Sequence, residues 1–348
     1  MNVEIRKKNT VVIAGKFPFF STNAGLASGF RKQGLNVVEV ALEDFLGEAK
    51  STIQKIKSRI FRRKNIYKYN KEILYCVAKN NPLAFLAVKG SYIYPETLKS
   101  IKVLSVLILN YYPDFRFSYK DVDKNAFKYY DMFFTTKSFQ VEYLSNLLGS
   151  EKVSFLHHGY VSDVHSPPSL MKNFNYECDL SYIGNHTSEK EKWLCEVKKK
   201  LPTINLKIYG GRWDHADDIL ESSIVGVPLY GKDFCQAINS SKINLAVHMG
   251  VVDNSGWEDL VSTRTFEIPA CKGFMLHIDN VEVRELFTPG EEIDVFKDVN
   301  ELCEKVKFYL VNDAVREEMV ARAYQRCVPA YSYDERARTI ADWIRSVQ

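Results

Sequence analysis

Gly256-Trp-Glu-Asp-Leu-Val-Ser-Thr-Arg-Thr-Phe-Glu-Ile-Pro-Ala-Cys-Lys-Gly-Phe-Met-Leu-His277 is the stretch on which the fold turns. A polar loop enters a short helix, Gly273 stops it, and Phe274 to Leu276 are apolar enough for a buried strand. Ser262 or Thr263 is placed to cap the helix, because a hydroxyl there accepts from the free amides of the first turn. Those amides and the positive dipole end would favour an anion. Arg264 and Glu267 are three residues apart and so share a helix face, while Asp259 stands eight residues before Glu267 on the incoming loop. A forked cation and a carboxylate on one face suit a ligand with both phosphate and vicinal hydroxyls, of which a nucleoside diphosphate is one. The competing reading is a capped amphipathic helix whose Arg264 and Glu267 form a surface pair of little energetic worth. Pro269 is a local conflict, since inside a helix it removes a backbone donor, so the helix starts late or is kinked.

Outward from this stretch the chain alternates strands and helices. Thr10 to Ala14, Asn36 to Leu42, Leu83 to Val88, Val103 to Leu109, Asp131 to Thr135 and Val153 to Leu156 read as buried strands, with helices between them. The second half restarts the pattern with strands at Asp179–Ile183, Asn205–Tyr209 and Lys242–Val247. Pro167-Pro168 and the polar run to Asn175 read as the linker between two doubly wound halves. Gly15, Gly25 and Gly29 do not make the G-x-G-x-x-G fingerprint, which excludes a conventional dinucleotide site. In open α/β sheets ligands bind beyond the C-terminal ends of the strands. That singles out Asp114 after one strand and the Gly184-Asn185 turn after another, where a glycine lets backbone approach a phosphate or sugar. His157 and His158 follow the last strand of the first half and are candidates for phosphate binding or proton handling. A turn-capping carboxylate and structural histidines are the plainer readings of the same residues.

The run Ser262 to Leu276 is similar to the signature of the CgeB-like (spore maturation protein) branch of the group 1 glycosyltransferases, and the resemblance extends from about residue 82 to the C-terminus. It implies an α/β protein of the GT-B fold: two Rossmann-like doubly wound domains facing a cleft, with a C-terminal helix crossing back to the first. The expected boundaries are 1–168 for the acceptor side, 169–327 for the donor side and 328–348 for the returning helix. The implied activity is transfer of a sugar from a nucleotide-diphosphate sugar, UDP-sugar first, to an unspecified acceptor. It is expected to be metal-independent, because Arg264, the amides at the start of its helix and the Gly184 turn can hold the leaving diphosphate. In the wider group a carboxylate pair with seven residues between holds the donor sugar and the ribose, a spacing that Asp259 and Glu267 meet. This chain has Asp259 where Glu is usual, and Lys272 where many relatives run Cys-Gly directly. The resemblance thus implies Gly184, Asn185, Gly210, Tyr230, Thr263, Arg264 and Glu267 at the donor, with Asp114, His158 and Asp259 as catalytic candidates.

Composition bounds the rest. The 348 residues, 46% hydrophobic and 26% charged, make an ordinary globular chain of two domains. Seven scattered cysteines without a C-x-x-C spacing argue for reduced thiols and a cytoplasmic protein. No stretch approaches the roughly 18 apolar residues of a membrane span, and the N-terminal apolar run is too short for a signal peptide. Net charge is only +4, but residues 50–71 hold nine Lys or Arg and no acid, with Ile53, Ile56, Ile60 and Phe61 at helical spacing. The expectation is a solvated helix with its apolar stripe on the sheet; peripheral docking to an anionic membrane, or capture of an anionic acceptor, is the alternative. Two other functions stay open: a sensor that binds a nucleotide-sugar without turnover, and a nucleic-acid base glucosylating enzyme. Nucleic acid is not the expected partner.

Overall fold

The inner strands are short, rich in β-branched and aromatic residues and buried on both faces, as parallel strands covered by helices must be, while those at Asn36–Ala41 and Val153–Phe155 are only partly buried. The computed structural model describes residues 8–47, 52–168, 176–248, 251–252 and 256–348, with side chains for all but 52–59 and 251–252. The expected linker run to Asn175 falls on 169–175 and lies outside the described residues, as do Lys50 and the side chains of Ile53 and Ile56. The chain divides into two compact units, residues 1–158 with 333–348 and residues 159–332.

The first unit runs β1 (Thr10–Gly15), α1 (Thr22–Lys32), β2 (Asn36–Ala41), α2 (Glu43–Leu46), α3 (Thr52–Asn80), β3 (Ala84–Val88), α4 (Pro95–Val103), β4 (Leu107–Tyr112), β5 (Met132–Thr135), α5 (Phe139–Leu148) and β6 (Val153–Phe155). Its strands form one parallel sheet in the order β2-β1-β3-β4-β5-β6. The fourth strand starts at Leu107 rather than Val103, because Pro95 sits at the first helical position and the helix it opens runs through Val103. Gly25 and Gly29 serve helix packing. A Cβ at Gly25 would lie 2.8 Å from the Tyr333 ring, and one at Gly29 would lie 2.7 Å from the Ala337 Cβ. Those partners belong to the last helix of the chain, Tyr333–Ser346, so the C-terminal segment belongs to the first unit.

Two features of this unit differ from expectation. The third helix runs to Asn80, and the face that packs on the core is Ile66, Tyr69, Ile73 and Val77; Ile60 and Phe61 are 69% and 50% exposed. The second is the edge of the unit. The cut falls before Gly159, not at Pro167-Pro168, because Tyr160 bridges to Ser332 and His165 accepts a backbone N–H from Val161.

The second unit runs β7 (Cys178–Ile183), α6 (Ser188–Lys200), β8 (Leu206–Tyr209), α7 (Gly231–Asn239), β9 (Ser241–Ala246), β10 (Val251–Val252), β11 (Trp257–Glu258), α8 (Arg264–Ala270), β12 (Met275–Ile278), α9 (Val281–Leu286), β13 (Asp294–Phe296), α10 (Val299–Val311) and α11 (Asp313–Cys327). The chain then enters α12 (Tyr333–Ser346) of the first unit. The five-stranded parallel sheet has the order β13-β12-β9-β7-β8. The strand order therefore reverses between β7 and β9, which makes their C-terminal ends the switch point of this sheet. Among the described residues no helix is long and apolar enough to cross a membrane.

Candidate functional site

A cavity of about 190 Å³ opens at that switch point. Its floor is the end of β7 (Tyr182, Ile183, Gly184) and the end of β9 through His248, and its walls carry Lys190, Asp259, Thr263 and Arg264. Each wall residue is delivered by a local rule. Thr187 caps α6 by accepting the Lys190 N–H at 3.4 Å, which puts Lys190 in the first turn directly after the Gly184 turn. Ser262 accepts the Arg264 N–H at 3.3 Å, and Thr265 Oγ1 accepts the Ser262 N–H at 3.3 Å, a reciprocal pair that starts α8. Ser262, not Thr263, thus supplies the cap: Thr263 has helical backbone angles and makes no side-chain cap bond.

Pro269 and Gly273 also find their reasons. The helix is only seven residues long, from Arg264 to Ala270, and it closes with Lys272 N–H to the Pro269 carbonyl and Gly273 N–H to the Ile268 carbonyl. The left-handed position of this closure is taken by Lys272 (φ 59°), not by glycine. Gly273 is required instead by a close approach, since a Cβ there would stand 2.3 Å from Ile238 Cγ2.

Arg264 is tied down from three sides. Its Nη1 pairs with Glu267 Oε2, its Nε donates to the Ile183 carbonyl at 2.9 Å, and its guanidinium lies 4.6 Å over the Phe234 ring. Nη2 carries no bond among the described residues. The pair is not a surface one: the Glu267 side chain is 8% exposed and Arg264 29%. Glu267 Oε1 faces His165 Nε2 at 3.7 Å. His165 Nδ1 accepts the Val161 N–H at 3.0 Å, so the proton of a neutral ring is on Nε2, toward the carboxylate. Burial lowers the His165 pKa, against the opposing pull of Glu267.

The electrostatics ask for an anion. Burial lowers the Lys190 pKa; Asp259 opposes that and Arg264 adds to it, so the two cations that line the cavity repel each other, with Asp259 beside them and Glu267 paired to Arg264. Beneath them His277 donates from Nδ1 to the Ile278 carbonyl at 2.7 Å, which leaves its Nε2 an acceptor for His248 Nε2–H at 3.0 Å and Thr265 at 3.0 Å. Burial pushes the His277 pKa down to about 4, keeping this ring neutral. Lys190 and His248 were not singled out by sequence. The legible signal for Lys190 was a lysine six residues after the strand-end glycine, within the first helical turn.

Of the residues expected at the donor, the structure brings Gly184, Asp259, Thr263 and Arg264 to the cavity, with Glu267 behind Arg264. Asn185 is used otherwise: its Oδ1 accepts the Gly211 N–H at 3.0 Å, tying the β7 and β8 turns together. Gly210 supports the same turn from outside the cavity. A Cβ there would meet the Gly184 carbonyl oxygen at 2.1 Å, and its φ of 133° is glycine territory. Tyr230 precedes α7, is 48% exposed and does not line the cavity.

The other candidates lie in the first unit. Asp114 follows β4, where its carboxylate pairs with Lys89 at 2.9 Å, and Gln140 holds its loop by donating to the Asp114 and Phe115 carbonyls. Lys89 also pairs with Asp121 at 3.2 Å and lies 4.3 Å over the Tyr119 ring. The chain does carry one Asp-x-Asp run, Asp121-Val122-Asp123; Ser91 donates to Asp121, and Asp123 caps a turn by accepting from Asn125. His158 is 5% exposed, its Nε2 bonded to Thr136 at 3.1 Å, and burial holds its pKa well below the ordinary histidine value. His157 is likewise pushed down to about 4 by burial, with Arg336 and Lys137 adding to it. Both rings are neutral at physiological pH.

Comparison with known proteins now has a site to bear on. Residues 187–342 match the family described as glycosyl transferase-like. The structure superposes on a glycosyltransferase from Rickettsia africae with a TM-score of 0.69 at 12% identity, covering 98% of this chain and 99% of that one. The fold is GT-B. An Anabaena protein in complex with UDP superposes at 0.62 with 8% identity, over 98% and 100% of the two chains. A putative UDP-N-acetylglucosamine 2-epimerase from Listeria monocytogenes does so at 0.58 with 11% identity, over 98% and 96%. Among curated proteins none is similar enough in sequence to match. The GT-B fold thus serves more than one chemistry, and function has to be argued from the cavity.

Proposed function

We propose that this chain is a glycosyltransferase, close to the CgeB-like branch, that takes a nucleotide-diphosphate sugar as donor, with UDP-sugar the first choice. The observation that carries the reading is that two cations, Lys190 and Arg264, line one cavity at the switch point of the second sheet, with Asp259 beside them. A diphosphate between the two cations removes their mutual repulsion and gives Arg264 Nη2 an acceptor. As the glycosyl bond breaks, negative charge grows on the departing diphosphate. Fixed cations stabilise that charge without reorganising, which is where most of the rate gain arises. Metal-independent transfer is part of this proposal. Asp259 positions the sugar, Glu267 takes the ribose and keeps Arg264 aligned, and Gly184 lets backbone approach the phosphates. The neighbours' UDP complex and the family match over 187–342 support this reading. On the acceptor side we assign Asp114 as the first candidate for contact with the acceptor hydroxyl. His158, bonded to Thr136, orders the strand ends behind it.

The test is a thermal-shift panel of nucleotide-sugars followed by product analysis. A ligand at about a hundredfold over its Kd adds roughly 2.7 kcal/mol of stability. Sugar release or transfer with free nucleoside diphosphate supports a transferase. Epimerised sugar, or tight binding without turnover, contradicts it.

A further inference from the structure

We infer that the outer face of α3 is a docking surface for an anionic lipid bilayer. The inference is independent of the donor site, which lies in the other unit. From Ile60 to Asn80 the helix has two unlike faces. Ile66, Tyr69, Asn70, Ile73, Cys76 and Val77 are buried and fall on one side at 100° per residue. The opposite arc carries Ile60, Lys64, Tyr67, Lys68, Lys71 and Tyr75, all of them exposed, and Phe61 stands at its edge.

Charge on this helix is one-sided. Between residues 60 and 80 there are six cations (Arg62, Arg63, Lys64, Lys68, Lys71, Lys79) against one acid, Glu72, whose carboxylate is taken by the Cys76 thiol. The lysines are held beside rings rather than beside carboxylates: Lys71 lies 5.5 Å over Tyr67 and Lys79 lies 5.4 Å over Tyr75. Ordinary solvated helices neutralise such rows with acids four residues away; here only Glu72 stands so, four residues after Lys68, and its carboxylate accepts the Cys76 thiol.

The apolar members decide the kind of partner. A soluble polyanion would be held by the cations alone and would leave Ile60 (69% exposed) and Phe61 (50%) in water. A second copy of the chain would bring one lysine row against another. A bilayer surface satisfies both halves: anionic headgroups take the cations, the aliphatic and aromatic side chains enter the boundary, and tyrosine rings rest at headgroup level. The helix is a peripheral anchor and not a span.

Co-sedimentation of the full chain with phosphatidylcholine vesicles, with and without phosphatidylserine, tests this. Binding to the anionic vesicles that falls with added salt is the expected result. Lys64→Gln with Lys68→Gln should lower partitioning about thirtyfold, and Ile60→Ser with Phe61→Ser about tenfold or more. The far-UV circular dichroism and thermal unfolding of all of them should match the parent's, which shows the variants folded. Equal binding to neutral vesicles, or none to either, overturns the inference. So does full retention of vesicle binding by the Ile60/Phe61 variant, or salt-sensitive binding to inorganic polyphosphate or duplex DNA at least as tight as to the anionic vesicles, which would make the face a polyanion surface instead.

Discussion

Arg264 and Glu267 are bonded to each other across one turn of α8, and the carboxylate is the buried partner. The same guanidinium holds the Ile183 carbonyl at the end of β7, so one side chain joins the helix, the sheet and the cavity. Its removal therefore has a structural effect beyond any lost ligand contact. Glu267, left buried beside His165, would lose its charge partner.

Lys190 should report ligand binding through its proton. Its pKa is lowered by burial first and by Arg264 as well, so at alkaline pH part of it is neutral before a ligand arrives. A bound diphosphate favours the charged form. Calorimetric binding of UDP at alkaline pH should thus take up protons, seen as a dependence of the heat on buffer ionisation enthalpy. The Lys190→Met variant should bind more weakly and lose that dependence.

His277 sets an acid limit on stability. Its pKa is about 4 in the folded chain, against an ordinary value of 6.5, so the unfolded chain binds the proton first as pH falls. Stability is complete above pH 6.5, declines between 6.5 and 4, and the loss from this one group amounts to about 3 kcal/mol. Urea unfolding at pH 7 and pH 5 should show the decline. His277→Asn, whose amide can still donate to the Ile278 carbonyl, should lessen it, leaving the share of His157 and His158, which burial also holds neutral.

Gly210→Ala should damage both fold and site. The added methyl would meet the Gly184 carbonyl oxygen at 2.1 Å on a backbone that disfavours any side chain. The expected cost is at least about 2 kcal/mol by denaturant titration. Nucleotide binding should weaken with it, because Gly184 floors the cavity.

The sequence carried the two βα series well, because parallel strands buried on both faces announce themselves as β-branched runs between helical periods. Val103 was misplaced because an apolar residue closing a helix reads like one opening a strand. Asp259, Thr263 and Arg264 were legible as a local pattern on one loop and helix. Lys190 and His248 were not, since their meeting with Arg264 depends on which strands lie side by side: β7 and β9 are neighbours although a strand and two helices separate them in the chain. The contents of Glu267's surroundings were likewise hidden, because nothing local links it to His165, a hundred residues earlier in round terms. Ile60 and Phe61 had the right period for a core stripe, yet both are exposed and the buried stripe of their helix begins at Ile66.

The central claim is that Arg264 and Lys190 hold a nucleoside diphosphate, and isothermal titration with UDP tests it most directly. The parent chain should bind, and Arg264→Ala should weaken binding by about 1.5–3 kcal/mol, roughly tenfold to 150-fold in Kd. Glu267→Gln should cost less, since its amide still offers an oxygen to the ribose. A parent that does not bind any nucleoside diphosphate, or an Arg264→Ala variant that remains folded and binds as tightly as the parent, would contradict the account.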